Sequence, residues 1–351
     1  MPWLPPKPRQ KPPWQITAHD RCFFVKQKYS KIEVAEVFDP PPPITRLEED
    51  TVSTQVKRKR QPLLPYILVL PTAAFVALFT AWPVLLSIYQ SFFRQRMNIA
   101  KFREPTFIGL DNYRQLFSDP YFIQVIKNTL NYIIGTVPLS IVLGFLFALL
   151  VNRKVRGVGF LRLAFFHPMV LPMVSAATIW LFLFTPDYGL FNSALRLLGY
   201  TGPENWTGNP NLALLSIIIV AVWKNSGYYM IFYLAGLQNL PENVYEAAVL
   251  DGANGWQMMW KITLPLLRRT TLFITIIAFI DAFRTVDHIF VLTSGGPSRA
   301  STVLLFELWQ ERFEFQDIGK SAAITVIFVV VLLVFTITNF LTSERKEEAD
   351  R

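Results

Sequence analysis

An all-α integral membrane protein with six transmembrane helices is the fold class this sequence predicts, and three observations carry the prediction. The 351 residues are 52% hydrophobic and only 17% charged, whereas an ordinary soluble domain is roughly 25% charged. Four stretches contain no Asp, Glu, Lys or Arg: Gln61 to Phe93, Asn128 to Asn152, Leu163 to Pro186 and Ser321 to Ser343. Two more are nearly as clean, Asn211 to Leu237 interrupted by Lys224 alone and Thr270 to Thr293 by Asp281, Arg284 and Asp287. Each matches or exceeds the roughly 20 residues a helix needs to cross the hydrocarbon core. A transmembrane β-barrel is excluded, since its strands are alternating segments of about 10 residues.

Residues 1–60 differ from the rest, holding ten of the 25 prolines, including Pro40 to Pro43. Such a run favours extended polyproline backbone over helix, and no basic start with an apolar core marks a secretory signal. A disordered or weakly ordered cytoplasmic tail is expected. Phe23-Phe24-Val25 and Ile32 to Phe38 are candidates for a small ordered element, and a start codon farther downstream is the alternative.

The remainder, 61–343, reads in order as spans over 64–92, 129–151, 163–184, 211–236, 270–291 and 322–342. Lys57-Arg58-Lys59-Arg60 before the first span, and Arg153, Lys154, Arg156 and Arg162 between the second and third, place those ends in the cytoplasm. An even number of spans returns the charged tail 344–351 to the same side. Arg94, Arg96, Lys101, Arg103, Arg114 and Lys127 run against this topology, lying in a longer connection that would face outward. Within the third span, Pro168 and Pro172 each remove a backbone donor, so a kink or local opening is expected, serving a cavity or packing equally.

The connection 238–269 is too long for a plain hairpin between helices. Asn239 is a plausible cap, Pro241 suits a first helical turn, and Glu242 places negative charge near the positive end of the helix dipole. One short helix from Pro241 to Leu250 is therefore expected. Gly252 then takes a left-handed turn, Asn254 caps a second helix through Lys261, and Pro265 marks where the next span begins.

Charges deep in a bilayer cost at least about 2.5 kcal/mol each, so Lys224, Asp281, Arg284 and Asp287 should face other helices or a water-filled route. Asp281 and Arg284, three residues apart, suit pairing on one helical face. Lys224 suits pairing with Asp281 across antiparallel neighbours. Structural ion pairing and contact with a solute both satisfy the cost. Asn225, Tyr228, Tyr229 and Tyr233 combine hydrogen-bonding groups with aromatic faces, as polyhydroxylated solutes require; packing and an interfacial aromatic belt explain them as well, Tyr233 lying near the cytoplasmic edge.

Several function classes are disfavoured. The net charge of +9 resides mainly in a tail and at membrane edges rather than on a soluble basic face, which argues against nucleic acid. A single cysteine, Cys22, forms no internal disulfide, and His19, His167 and His288 lack metal-ligand spacing. Gly319-Lys320-Ser321 imitates the end of a phosphate-binding loop, but Glu314 occupies the position where that motif needs glycine. No catalytic constellation stands out.

Glu246-Ala247-Ala248, three residues to Gly252, and nine more to Ile262-Thr263-Leu264-Pro265 form a spacing that resembles the cytoplasmic loop of permease subunits of bacterial binding-protein-dependent ABC importers, of the carbohydrate (maltose/glycerol-phosphate) type. Phe107 to Tyr113, Pro168, Pro172 and Trp180, Val222-Trp223-Lys224, and Ala282-Phe283-Arg284 through Ser294-Gly295-Gly296-Pro297 are also similar, so the resemblance covers about 62–343. It implies a coupling-helix loop that docks into a groove on a separate ATPase through Glu246, Ala247, Ala248, Gly252, Ile262, Leu264 and Pro265. It also implies a second homologous permease, an ABC ATPase dimer that binds ATP and Mg, a soluble solute-binding protein and a place in the bacterial inner membrane. This chain itself would bind no cofactor. Sugars, polyols or glycerol phosphates are the implied solutes. A secondary transporter or channel without an ATPase is the competing reading; it would be expected to show internal repeats or a filter-like loop, and neither is found.

Overall fold

The computed structural model describes residues 64–153, 157–202 and 204–349; the predicted 1–60 tail, the Lys57 to Arg60 cluster, and Lys154 and Arg156 lie outside them. The described chain is a bundle of helices. Four are long and apolar enough to cross a membrane, and two bent helix pairs bring the number to as many as six.

The first span, Tyr66–Gln90, joins α1 (Leu64–Val76) to α2 (Trp82–Gln90) through a π-helical turn at Ala77–Ala81. None of its side chains from Tyr66 to Gln90 is buried. A two-stranded hairpin follows, β1 (Phe93–Arg94) antiparallel to β2 (Thr106–Phe107), with Phe93 opposite Phe107. Then comes α3 (Asp111–Ser118).

The second span, α4 (Pro120–Val151), begins nine residues before the predicted 129. Its start is set by capping: the Asp119 carboxylate accepts from the Tyr121 N–H at 2.9 Å, and Pro120 occupies the first turn. An uncharged-run criterion misses this, because Lys127 is carried on the helix.

The third span is broken rather than kinked. α5 (Val158–Val170) and α6 (Met173–Leu183) meet at 104°. Leu171 and Pro172 between them are extended, with ψ of 136° and 141°. Pro172 has no N–H to return to the preceding turn, and it disfavours helical backbone at Leu171.

After the short α7 (Leu190–Leu197), α8 (Ala213–Gln238) is continuous. Asn239 does not cap the following helix, as the sequence suggested; its N–H closes the last turn of α8 on the carbonyls of Ala235 and Gly236. The connection to the fifth span carries α9 (Glu242–Leu250), α10 (Gly255–Met258), a π-helical stretch Met259–Thr263 and α11 (Leu264–Leu266). α12 (Arg268–Phe283) leaves this segment at 63°. The predicted fifth span to 291 is interrupted: helix stops at Phe283 and resumes as α13 (Asp287–Leu292). α14 (Leu304–Trp309) and the long α15 (Ile318–Ala349) complete the chain, α15 running on as helix through most of the predicted 344–351 tail.

α4 and α8 form the spine, packed side by side along much of their lengths. Buried residues of α4 recur at three- and four-residue steps, Val125, Asn128, Thr129, Tyr132, Ile133 and Thr136, facing Ile217, Tyr229 and Met230 of α8 in one core. On its other side α8 receives α5 so closely that a Cβ on Gly227 would overlap the Phe165 carbonyl oxygen. Gly227→Ala must therefore push these helices apart at a cost of about 1–3 kcal/mol. The expected outcome is a lower unfolding temperature in detergent, whereas Gly159→Ala, where an added Cβ meets nothing within 4 Å, leaves it unchanged or higher.

Candidate functional site

The helical connection after α8 forms an elbow tied by local hydrogen bonds. α9 ends on Gly252, whose φ of +74° is the left-handed conformation glycine adopts without steric cost. Asn254 then caps α10 in both directions, its side chain accepting from the Gln257 N–H at 2.8 Å while the Gln257 side chain accepts from the Asn254 N–H at 2.9 Å. The Tyr245 and Thr263 hydroxyls, 2.9 Å apart, tie the two arms of the elbow together.

The arms present different faces. Glu246 and Ala247 point outward, with Val249 and Leu250 beside them at 62% and 87% exposure. Ala248 turns inward and is buried, so of the two alanines only Ala247 stands at the surface of this chain. Ile262 and Leu264 are half-buried, and Pro265 is exposed on α11. Helix yields to the next span at Leu267, two residues past Pro265. Beneath the elbow, an apolar groove of ≈ 670 Å³ runs between Phe145, Tyr233, Trp256 and Trp260.

Within the span depth, the charged residues do not pair as the sequence suggested. Among the described residues no ion pair joins Lys224, Asp281, Arg284 or Asp287. The Lys224 ammonium instead donates to the carbonyls of Pro168 and Met169, each at 3.1 Å, and to that of Leu171. These are the acceptors that the break between α5 and α6 releases. Arg284 is the C-cap of α12, its N–H still bonded to the carbonyls of Ile280 and Asp281, but its side chain makes no ion pair with the Asp281 carboxylate. Asp281, Arg284 and Asp287 are all exposed in the single chain.

Of the aromatic set, Tyr229 and Tyr233 are core residues, 1% and 2% exposed. The Tyr233 hydroxyl donates to Thr271 Oγ1 at 3.1 Å, and its ring meets Phe145 at 5.3 Å, so it packs rather than joining an interfacial belt. Asn225 and Tyr228 are half-buried.

Sequence reasoning overlooked a second polar cluster. The Tyr132 hydroxyl of α4 lies 3.2 Å from Thr285 Oγ1 and 3.2 Å from His288 Nε2, bridging the break between α12 and α13. His288 was set aside for want of metal-ligand spacing. The available signal was a tyrosine and a histidine in otherwise apolar spans.

The opposite end of the bundle holds a layer of ion pairs: Arg96 to Asp317 at 2.5 Å, Lys320 to Glu311 at 2.5 Å, and Arg299 to Glu307 at 3.0 Å. One charge of the puzzling first connection, Arg96, is thereby neutralised. Lys320 of the imitation phosphate loop serves here, and Gly319 lies where an added Cβ would overlap the Phe93 carbonyl oxygen. The Glu307 side chain is 1% exposed, with one oxygen on Arg299 and the other without a partner. Burial pushes its carboxyl above the usual carboxylate range; Arg299 pulls it back, Glu311 adds to the rise and Lys320 opposes it.

A multi-span helical bundle with interrupted spans is the architecture of a polytopic membrane protein. The sequence profile of the family described as the binding-protein-dependent transport system inner membrane component matches residues 140–346. The chain belongs to this family, the permease subunits of ABC importers. It is 35% identical over 288 residues to the trehalose/maltose transport system permease of Thermococcus litoralis, covering 82% of this chain and 96% of the relative. Identity is 34% to the sn-glycerol-3-phosphate transport system permease of Agrobacterium fabrum, with 81% and 96% covered. A probable ABC transporter permease of Pyrococcus horikoshii is also 34% identical, over 83% of this chain and 99% of the relative. Among solved structures, a bacterial ABC transporter involved in import of the acidic polysaccharide alginate superimposes with a TM-score of 0.68 at 25% identity, covering 80% of this chain and 95% of that one.

Two outcomes are expected from this geometry. Asn254→Ala removes the reciprocal cap at a cost of about 1 kcal/mol, which limited proteolysis should register as faster cutting within 252–258. Glu307, with its folded pKa raised, contributes stability that is fully present below its unfolded value of about 4.3 and is lost as pH rises through the folded value. The unfolding temperature should accordingly fall as pH rises from the unfolded value through the raised folded value, and Glu307→Gln should flatten that slope.

Proposed function

We propose that this chain is one half of the pathway of an ATP-driven importer for a sugar, polyol or related polar solute, completed by a second homologous permease. The elbow would be the coupling loop, seated on an ABC ATPase whose dimer binds ATP and Mg, with a soluble binding protein delivering solute to the opposite face. Counting each bent helix pair as one span gives six, an even number that would put both termini on one side, and exposed Arg153 beside the second span supports the cytoplasmic side.

The observation that carries this reading is the elbow itself. Glu246 and Ala247 are exposed on an arm whose other face, through Ala248 and Tyr245, is fastened to its own subunit. A carboxylate flanked by exposed Val249 and Leu250 suits a groove with a basic rim and an apolar floor. Closure of the ATPases would pull on the elbow, and its fastening to Thr263 and α11 would pass the motion into α12. Alternating access then follows from differential stabilisation of two states of the bundle.

Asp281, Arg284 and Asp287 have no ion partner within the described chain and are exposed at span depth, which supports a place on the solute route or against the second permease. Asn225 and Tyr228 supplement them. Tyr229 has a packing role, and Lys224 is engaged by the broken third span. The relatives described as permeases for trehalose/maltose and for sn-glycerol-3-phosphate support small polyhydroxylated solutes.

Co-purification in mild detergent tests the coupling role: an ATPase should accompany the wild-type chain, and Glu246→Ala or Gly252→Val should cut that recovery by about tenfold with unchanged membrane insertion. Uptake into vesicles that persists without ATP would sink the importer reading. Asp281→Asn should alter solute preference while leaving assembly intact.

A further inference from the structure

Two interrupted spans, each held by one polar side chain from the spine, divide the bundle in a way the transport reading does not by itself require. The first break, at Leu171 and Pro172, frees the carbonyls of Pro168, Met169 and Leu171, and all three accept from Lys224 of α8. The second, over 284–286, is bridged by Tyr132 of α4 through Thr285 and His288, while Thr285 Oγ1 also donates to the Asp281 carbonyl at 3.3 Å.

The half-helices beyond the two breaks find each other. α6 packs on α13 far more extensively than either packs on α8, whereas the near halves, α5 and α12, lie against α8 and α4. α6 keeps an aromatic contact with the spine where Trp180 meets Trp223 at 5.6 Å. Past α13, Asn128 of α4 donates to the carbonyls of Arg299 and Thr302 at 2.9 and 3.0 Å, so the far end of α13 stays tethered.

From this arrangement we infer that α6 and α13 form one mechanical body hinged on the α4/α8 spine, and that Lys224 and Tyr132 are positioning residues for transport that hold its two hinges. Each acts through a helix break rather than on solute. An ammonium shared among three carbonyls has no equally good alternative in a bilayer, so the first hinge is strongly held. The Tyr132 bonds are neutral and longer, so the second hinge is the softer one. Because α6 and α13 interlock, releasing either hinge loosens both half-helices. If the two polar groups merely served their own breaks, each release would remain local.

This inference rests on the importer reading only for its link to transport; the coupling itself is a property of the chain. Hydrogen exchange on the complete importer in lipid nanodiscs reads it directly, at amides 176–183 of α6 and 290–292 of α13. Lys224→Met should speed exchange about tenfold in both segments, Tyr132→Phe should do the same, and α4 and α8 should be unchanged. Lys224→Arg, which restores a cationic donor, should stay within about twofold of the wild type. Exchange that rises only beside the substituted residue, or an arginine variant no better protected than methionine, overturns the inference. Should Lys224→Met fail to assemble, Tyr132→Phe alone decides it through the distant α6 amides. ATP hydrolysis stimulated by the binding protein is read in parallel, with a lower kcat and unchanged KM for the binding protein expected in both variants. A wild-type complex without such hydrolysis would refute the importer reading and leave the exchange result standing on its own.

Discussion

In hydrocarbon every backbone donor and acceptor must find its partner inside the protein, and this constraint governs the architecture of the bundle. Two long helices, Pro120–Val151 and Ala213–Gln238, run unbroken, the first even through Pro138, and pack together as a spine. The third and fifth spans do not, because Pro172 cannot continue the first and helix fails at Arg284 in the second. Their interruptions persist because the spine lends polar side chains to the places where backbone groups come free. Lys224 is the clearest case: a charge that would be costly alone is held by three carbonyls that would be costly without it.

The two ends of the molecule handle polar groups in opposite ways. At one end, charges are internalised, with Arg96, Arg299 and Lys320 each matched to a carboxylate and a largely buried loop pinned by Asn128. Such a layer fixes the ends of several helices relative to one another. At the other end the elbow is fastened internally, through its glycine turn, reciprocal cap and Tyr245 to Thr263 contact, yet leaves Glu246 and Ala247 uncovered. A segment tied to itself with one face exposed suits the coupling role proposed for it.

Where the sequence reading departed from the structure, local signals were outweighed by distant partners. Lys224 and Asp281 looked complementary because opposite charges in lipid suggest a pair, but no spacing rule reveals that carbonyls some fifty residues earlier would be released by a proline. Asn239 looked like an N-cap, though the end of α8 claimed it first. For Tyr233, packing and an interfacial belt were both open near the cytoplasmic edge, and its contacts with Phe145 and Thr271 chose packing. The second span began early because the Asp119-Pro120 cap, rather than the disappearance of charge, marks its first turn.

By itself, the sequence determined the class: uncharged runs of bilayer length permit little but a helical membrane protein, and the spacing from Glu246 to Pro265 carries its family resemblance locally, in one stretch of chain. Gly252 and Asn254 were equally legible, since a left-handed turn and a capping box depend on residues within a few positions of one another. Only the tertiary structure decided which groups the intramembrane polar residues bond, which half-helices pack together, and which alanine of the elbow faces outward. Those outcomes depend on pairings between segments far apart in sequence, where a hydrogen bond or an ion pair is chosen by the geometry of the packed helices rather than by the chemistry of either residue alone.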